Sequence, residues 1–180
     1  TLRWFAAIER ALAASGLLVP LLPELNPPLW ELGHIGWFQE FWCRRCGKDD
    51  PEGARTPSRL ADADAWWNSS RVPHATRWSL PLPDWAGIHA YLDATLADTL
   101  DALATTRDGD RYFHELALYH EDMHGEALLM TLQTLALPPP PGLREPPRVP
   151  ASRSAGVDLA FPGGTLVAGS RESDTRDRFV

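Results

Sequence analysis

Several features that mark particular protein classes are scarce in this chain of 180 residues. Lysine occurs once, at Lys48, and acidic residues outnumber basic ones by 24 to 17, giving a formal net charge of −7. Because no basic stripe is available to neutralise phosphates, we expect no nucleic-acid partner. Cysteine occurs twice, at Cys43 and Cys46. A structural zinc site would need a second pair, so we interpret these as two thiols near a helix end.

The sequence also lacks the run of roughly 20 apolar residues that a membrane-spanning helix requires. The longest candidate, residues 11–22, is interrupted by Ser15, Gly16 and Pro20. The N-terminus shows no basic region followed by an apolar run and a small-residue cleavage site. We therefore expect no membrane association and a cytoplasmic location.

Apolar surface, in contrast, is plentiful: 44% of the residues are hydrophobic and eight are tryptophan, which is typical of a soluble globular domain. Apolar residues recur at helical spacing in four segments, residues 2–18, 27–45, 84–105 and 110–137. Asn26 and Pro27 predict the start of the second helix, and Asp84 is the predicted N-cap of the third. The second helix is apolar around most of its circumference, so it should lie in the middle of a four-helix bundle.

A long connection rich in charges and prolines, residues 47–83, separates the second and third helices. A loop of this length in a compact domain is usually functional or mobile. Asn68, Arg71 and Arg77 within it suit an anionic or hydroxyl-rich ligand, since arginine offers a fork of donors. The alternative is a solvated loop with ordinary surface charges.

The sequence changes character after the predicted fourth helix. Prolines dominate residues 138–150, and residues 160–170 combine strand-forming residues with glycines, which is typical of β structure. We predict a helical bundle over residues 1–137, a proline-rich linker over 138–157, and the truncated start of a second domain over 158–180.

His120 and His124 are the strongest candidates for metal ligands. They lie four residues apart in the predicted fourth helix, so both imidazoles project from one face and can reach one ion. His34 lies in the most apolar helix, and metal sites in bundles are assembled from facing helices, so we predict it as the third ligand. His74 and His89 remain alternatives for that third position.

The string His120-Glu-Asp-Met-His124 also matches the His-Glu-x-x-His signature of zinc metalloproteases, in which Glu121 would be the general base. That pattern takes its third ligand downstream, and no histidine follows His124. Glu121 and Asp122 are alternatively acceptors that orient a ligand imidazole, or exposed helix residues. A zinc-dependent hydrolase is therefore an alternative function.

Three motifs in order resemble one known family. Asn26-Pro-Pro-Leu-Trp-Glu-Leu-Gly-His34 is followed far downstream by His120-Glu-Asp-Met-His124-Gly-Glu and then by Phe161-Pro-Gly-Gly-Thr165. Together they resemble the ergothioneine-type sulfoxide synthases and their relatives, the selenoneine synthases. The resemblance implies a mainly α fold, with a DinB-like four-helix bundle followed by the start of an α+β domain similar to the formylglycine-generating enzyme.

Carried over by motif, the resemblance implies that His34, His120 and His124 bind a non-haem iron(II), with about three coordination positions left open. It implies hercynine, a thiol or selenosugar donor and O2 as small-molecule partners, with C–S or C–Se bond formation on the imidazole. The catalytic tyrosine of the family is expected in the second domain, outside this sequence. Met123 stands where family members often carry glutamine, so this position offers no amide to a substrate. A DinB-type metal-binding thiol transferase is the alternative within the same superfamily.

Overall fold

The structure, a computed structural model, describes residues 2–13, 16–47, 50–54, 56–107, 111–142, 157–166 and 168. It divides into two compact units, Thr1–Pro141 and Gly142–Val180. Among its described residues, the first unit contains five α-helices: α1 (Leu2–Leu12), α2 (Pro28–Glu40), α3 (Ala63–Trp67), α4 (Trp85–Thr105) and α5 (Tyr112–Thr134). The four long ones correspond to the four predicted helices, so the predicted mainly α fold is confirmed for this unit.

Helix α2 lies at the centre of the first unit. Every residue from Trp30 to Trp37 is buried, and the helix contacts α3, α4 and α5. A helix that is apolar around most of its circumference has little surface suited to water, which explains the central position predicted for it. The core around α2 takes buried side chains from the other long helices, among them Phe5, Ile8, Ile88, Leu128 and Leu132.

The end of α1 was predicted at Leu18, and the structure corrects it to Leu12. Gly16 and Leu17 adopt positive φ angles of 64° and 63°, which a continuing helix does not allow. The backbone N–H of Leu17 donates to the carbonyl of Leu12 at 3.1 Å, so this left-handed turn satisfies an orphan carbonyl at the helix end.

The other helix ends differ less from the prediction. Helix α2 begins at Pro28 and Pro27 takes the cap position, one residue later than predicted. Asp84 caps α4 as predicted, because its carboxylate accepts a backbone N–H from the first turn at 2.9 Å. Helix α5 ends at Thr134 rather than Leu137, since Ala136 has a φ of 50°. The predicted start of α5 near residue 110 lies outside the described residues.

The connection predicted as irregular contains short regular elements. Helix α2 continues as a π-helical turn over Phe41–Arg45, and two short antiparallel strands follow, β1 (Cys46–Gly47) and β2 (Asp50–Ala54). Helix α3 and a 3-10 turn over His74–Ser79 complete the segment. The prediction of an irregular connection was therefore wrong where these elements lie.

An ion pair and a hydrogen bond attach α3 to α2 and to the π-helical turn that follows it. Arg45 is 3% exposed, and its guanidinium donates to both carboxylate oxygens of Asp64 at 2.9 and 2.6 Å. The indole N–H of Trp37 donates to Asp64 at 2.7 Å. A two-point arginine–carboxylate pair is directional as well as strong, so it fixes the orientation of α3. Trp67, at the end of α3, packs fully buried where Gly33 of α2 leaves room for its indole.

The second unit is described only at residue 142, over residues 157–166 and at residue 168, and these lie in neither helix nor strand. They do not confirm the predicted β-rich start of an α+β domain, and the rest of that segment lies outside the described residues. Across the described part of the chain, none of the helices combines the length and apolarity that crossing a bilayer requires.

Candidate metal centre

His34 is held in one orientation by the backbone of the connection. It is 4% exposed, and its Nδ1 lies 2.7 Å from the carbonyl oxygen of Trp67. A carbonyl can only accept, so Nδ1 carries the proton and Nε2 keeps a free lone pair. The ring also stacks on Trp30, with centroids 4.9 Å apart and planes within 10°. These contacts fix both the tautomer and the plane of the imidazole.

His120 and His124 meet His34 from the facing helix α5. Their Nε2 atoms lie 3.1 Å apart, and their ring centroids lie 5.0 and 4.9 Å from that of His34. One ring nitrogen from each of the three residues falls within 4.8 Å of the other two. The structure thus brings together the three histidines that the sequence predicted as one site.

Glu31 is a member of this site that sequence reasoning missed. It is 4% exposed, and its Oε1 accepts a hydrogen bond from Nδ1 of His124 at 2.5 Å, so Nε2 is the ring nitrogen of His124 that faces the cluster. The available signal was its position three residues before His34 on the same face of an otherwise apolar helix.

Of the two acceptors considered from sequence, Asp122 is exposed. Glu121 lines a separate small cavity whose lining contains no histidine.

Burial keeps the imidazoles of His34 and His120 neutral. It lowers the pKa of His34 to about 4, although the hydrogen bond to Trp67 opposes the shift. It lowers the pKa of His120 to about 2, and the neighbouring His124 and His34 add to this effect. Neutral imidazoles offer their lone pairs at neutral pH without first having to lose a proton.

Aromatic side chains enclose the cluster. Phe38 stacks on His120 with centroids 3.6 Å apart, and Trp37 stacks on His34 at 5.9 Å. The two ring nitrogens of His120 behave differently, because Nε2 faces His124 whereas Nδ1 is buried without a hydrogen-bond partner among the described residues. The site is therefore a small polar cluster inside an apolar shell.

A cavity of about 420 Å³ adjoins this shell and includes two of the three residues predicted to bind a ligand. One wall is aromatic and the other is polar; the lining comprises Trp37, Phe38, Phe41, Trp42, Asn68, Ser69, Ser70 and Arg71. Asn68 and Arg71 thus line one cavity, and their binding of a ligand stays a prediction.

Arg77 lies elsewhere. Its guanidinium sits 3.8 Å above the ring of Trp30 and donates to the side chain of Asn26 at 2.7 Å. Because Trp30 in turn stacks on His34, Arg77 contacts a residue that packs against the three-histidine cluster, and it does not line the cavity.

The remaining histidines lie outside the cluster. His74 contacts the carbonyl of Leu25 at 2.7 Å, and His89 packs edge-on against Trp85. Neither of these alternatives to His34 belongs to the three-histidine group. His114, six residues before His120, lines a different cavity.

Comparison with known proteins agrees with this geometry. The profile of the DinB superfamily matches residues 5–137, which include every residue of the cluster. The chain belongs to the DinB superfamily. The DinB-like part of the predicted resemblance is thereby confirmed.

Curated relatives of this DinB chain are named hercynine oxygenase. The protein from Mycolicibacterium smegmatis is 33% identical over 150 residues, which are 82% of this chain and 34% of the relative. Those from Mycobacterium tuberculosis and Mycolicibacterium thermoresistibile are 33% and 32% identical over 61% of this chain, and 25% and 24% of their own lengths. The chain spans about a third or less of the length of the relatives it matches.

The donor set of this DinB domain fits a divalent metal ion. Two ligand nitrogens on one ion at about 2.0–2.2 Å and at right angles are about 3 Å apart, which agrees with the 3.1 Å between the Nε2 atoms of His120 and His124. Nδ1 of His34 and Nδ1 of His124 each have an acceptor, the arrangement that orients histidine ligands in metal sites. The residues present therefore suit a cation held by three imidazoles, with the carboxylate of Glu31 close by.

Proposed function

We propose that this chain is the iron-binding helical part of an O2-dependent enzyme that joins hercynine to the sulfur or selenium of a second substrate. The observation that carries the proposal is the convergence of three imidazoles in a DinB domain that is similar to hercynine oxygenases. The resemblance of the three motifs to sulfoxide and selenoneine synthases supplies the reaction type. Hercynine, the thiol or selenosugar donor, O2 and iron(II) all belong to this proposal.

His34, His120 and His124 would hold the iron on one side and leave about three positions for substrates. Bound there, iron(II) would supply the activation of O2 that such an oxidation needs. Glu31 holds the Nδ1 proton of His124 and makes that ligand a stronger donor. The carbonyl of Trp67 does the same for His34.

The cavity beside Phe38 is the proposed site of the sulfur or selenium donor. It shares Trp37 and Phe38 with the shell of the cluster, so a ligand bound there lies next to the metal position. Asn68 and Arg71 would bind hydroxyl or carboxylate groups of the donor. Arg77 has a different role in this proposal: it holds Trp30 against His34.

The structure gives no support to the zinc hydrolase alternative. In a His-Glu-x-x-His hydrolase the glutamate acts on water bound to the metal. Here Glu121 lines a cavity with Leu32 and Asp93 that no histidine lines. The third histidine comes from α2, upstream of the motif, instead of from a downstream segment.

Metal content and metal affinity of protein purified without oxygen test the proposal. Wild type and the matched variant His89→Ala, which removes a histidine outside the cluster, should carry iron close to one equivalent. His34→Ala should weaken iron(II) binding by at least about tenfold in competition with a chelator. Hercynine should bind the iron-loaded protein more tightly than the metal-free protein. Retention of zinc in His34→Ala, or equal metal loss in His89→Ala, would remove His34 as a ligand and favour the hydrolase.

A further inference from the structure

The three histidines of the cluster differ in what orients them. Nδ1 of His34 lies 2.7 Å from the carbonyl oxygen of Trp67, and Nδ1 of His124 lies 2.5 Å from a carboxylate oxygen of Glu31. Nδ1 of His120 is shielded from water and has no hydrogen-bond partner among the described residues. A metal-binding histidine usually donates its other ring N–H to an acceptor, which fixes the plane of the ring. The orientation of His120 therefore depends on a different kind of contact.

The side chain of Phe38 supplies that contact. Its ring lies face to face with the imidazole of His120, with centroids 3.6 Å apart and planes within 5°, and this distance is shorter than those from His120 to the other two histidines. The preferences of histidine for χ2 are broad, so the imidazole can turn unless a neighbour blocks it. A flat ring packed against the imidazole face blocks that rotation. Phe38 lies four residues after His34, so the helix that carries one histidine of the cluster also holds a second one on α5.

Phe38 is in turn held by further aromatic contacts. Its centroid lies 5.9 Å from that of Trp42, with the planes tilted by 49°. Trp42 stacks on Phe113 of α5, with centroids 5.2 Å apart and planes within 22°. The four rings from His120 to Phe113 thus form a continuous series that begins and ends on α5. A side chain whose own rotamer is fixed by packing can fix the orientation of the group it touches.

We propose that Phe38 is a positioning residue of the metal centre, which orients His120 in place of the hydrogen-bond acceptor that His34 and His124 have. This role rests on the proposed function, because it requires His120 to be a metal ligand. Phe38 also lines the cavity of about 420 Å³. A ligand bound in that cavity would therefore contact the side chain that orients one of the metal ligands.

A double-mutant cycle on the full chain, with cobalt(II) as the metal probe, tests this role. Phe38→Leu, which keeps an apolar side chain without the flat ring, should weaken cobalt binding by about two- to tenfold, the range expected for the loss of one aromatic pair. Phe38→Tyr, which keeps the ring, should bind cobalt like wild type. His120→Ala should weaken binding by itself, and adding Phe38→Leu to it should have no further effect, because the imidazole that Phe38 orients is then absent.

Phe41→Leu is the matched control in the same titration, with no other ligand present. Phe41 lines the same cavity, but its ring contacts are with Trp37 and Trp42, so this variant should bind cobalt like wild type. Circular dichroism should show that every variant is folded.

Proton NMR of the metal-free protein adds a measurement that does not depend on metal binding. The ring protons of His120 should be shifted upfield by the ring current of Phe38 in wild type and in Phe38→Tyr, and Phe38→Leu should remove this shift. An unchanged shift in Phe38→Leu would overturn the inference. Equal cobalt affinity of Phe38→Leu and wild type, or additive losses in the cycle, would overturn it too and leave the proposed function standing. Unchanged cobalt affinity in His120→Ala would overturn both, because His120 would then not be a ligand.

Discussion

Replacing Glu31 by glutamine isolates the contribution of one buried charge to the metal centre. The carboxylate is 4% exposed and lies 2.5 Å from Nδ1 of His124, so its charge is poorly screened by water. Glutamine keeps the shape and can still accept the hydrogen bond, but it removes the charge that makes the imidazole a stronger donor. Partners of this kind typically change metal affinity about 10–100-fold, or about 1.4–2.8 kcal/mol of binding free energy. We expect the iron(II) dissociation constant of Glu31→Gln to rise within that range.

The same helix provides a matched control in Glu40, which is also buried but lies away from the histidines. Glu40 accepts hydrogen bonds from the hydroxyls of Tyr91 at 2.8 Å and Ser58 at 2.5 Å, and from the backbone N–H of Arg59 at 2.8 Å. Glu40→Gln should therefore lower the free energy of unfolding and leave metal affinity unchanged. Anaerobic competition titrations with a chelator and urea unfolding measure the two quantities. The reasoning fails if Glu31→Gln binds iron as tightly as wild type, or if Glu40→Gln loses as much affinity.

Two further outcomes follow from the packing and the charges. Gly33→Ala should destabilise the fold and weaken metal binding, because the added Cβ would lie 2.2–2.4 Å from the indole of Trp67, whose carbonyl holds His34. Gly164→Ala, whose added Cβ would meet no neighbour, is the control in thermal unfolding. Equal melting temperatures of the two variants would contradict this packing. Burial raises the pKa of Cys43 from 9.0 to about 12, so its contribution to the stability of the metal-free protein is complete below pH 9 and is lost as the pH rises towards 12. Cys43→Ser should reduce this decline of the unfolding free energy above pH 9, which urea unfolding at pH values below and above 9 measures. If the wild type loses no more unfolding free energy across that pH than Cys43→Ser does, the thiol is solvated and the reasoning fails.

The features predictable from sequence were those encoded over short distances along the chain. The apolar circumference of α2 gave its central position, and the spacing of His120 and His124 placed both on one face of α5. Since few other residues of α2 could contribute a ligand, His34 followed from the need for a third one. The first two inferences used residues within one helix, where periodicity determines geometry, and the third used the rule that metal sites in bundles are assembled from facing helices.

The missed features depend on contacts between distant parts of the chain. Glu31 and His124 are 93 positions apart, so no local pattern joins them. The partner of His34 is the carbonyl of Trp67, a backbone atom that every residue type carries and that sequence therefore cannot mark. Arg71 and Arg77 are chemically identical, and only the path of the connection places one at the cavity and the other on Trp30.

The position of the three histidines has a consequence for the way the chain folds. An ion shared by α2 and α5 would act as a cross-link between segments separated by about half of the chain. In the chain-entropy treatment, closing a loop of that size restricts the unfolded ensemble by about 4–5 kcal/mol. The metal would thus be a reversible cross-link, and the free energy of unfolding of the chain would depend on the concentration of free metal.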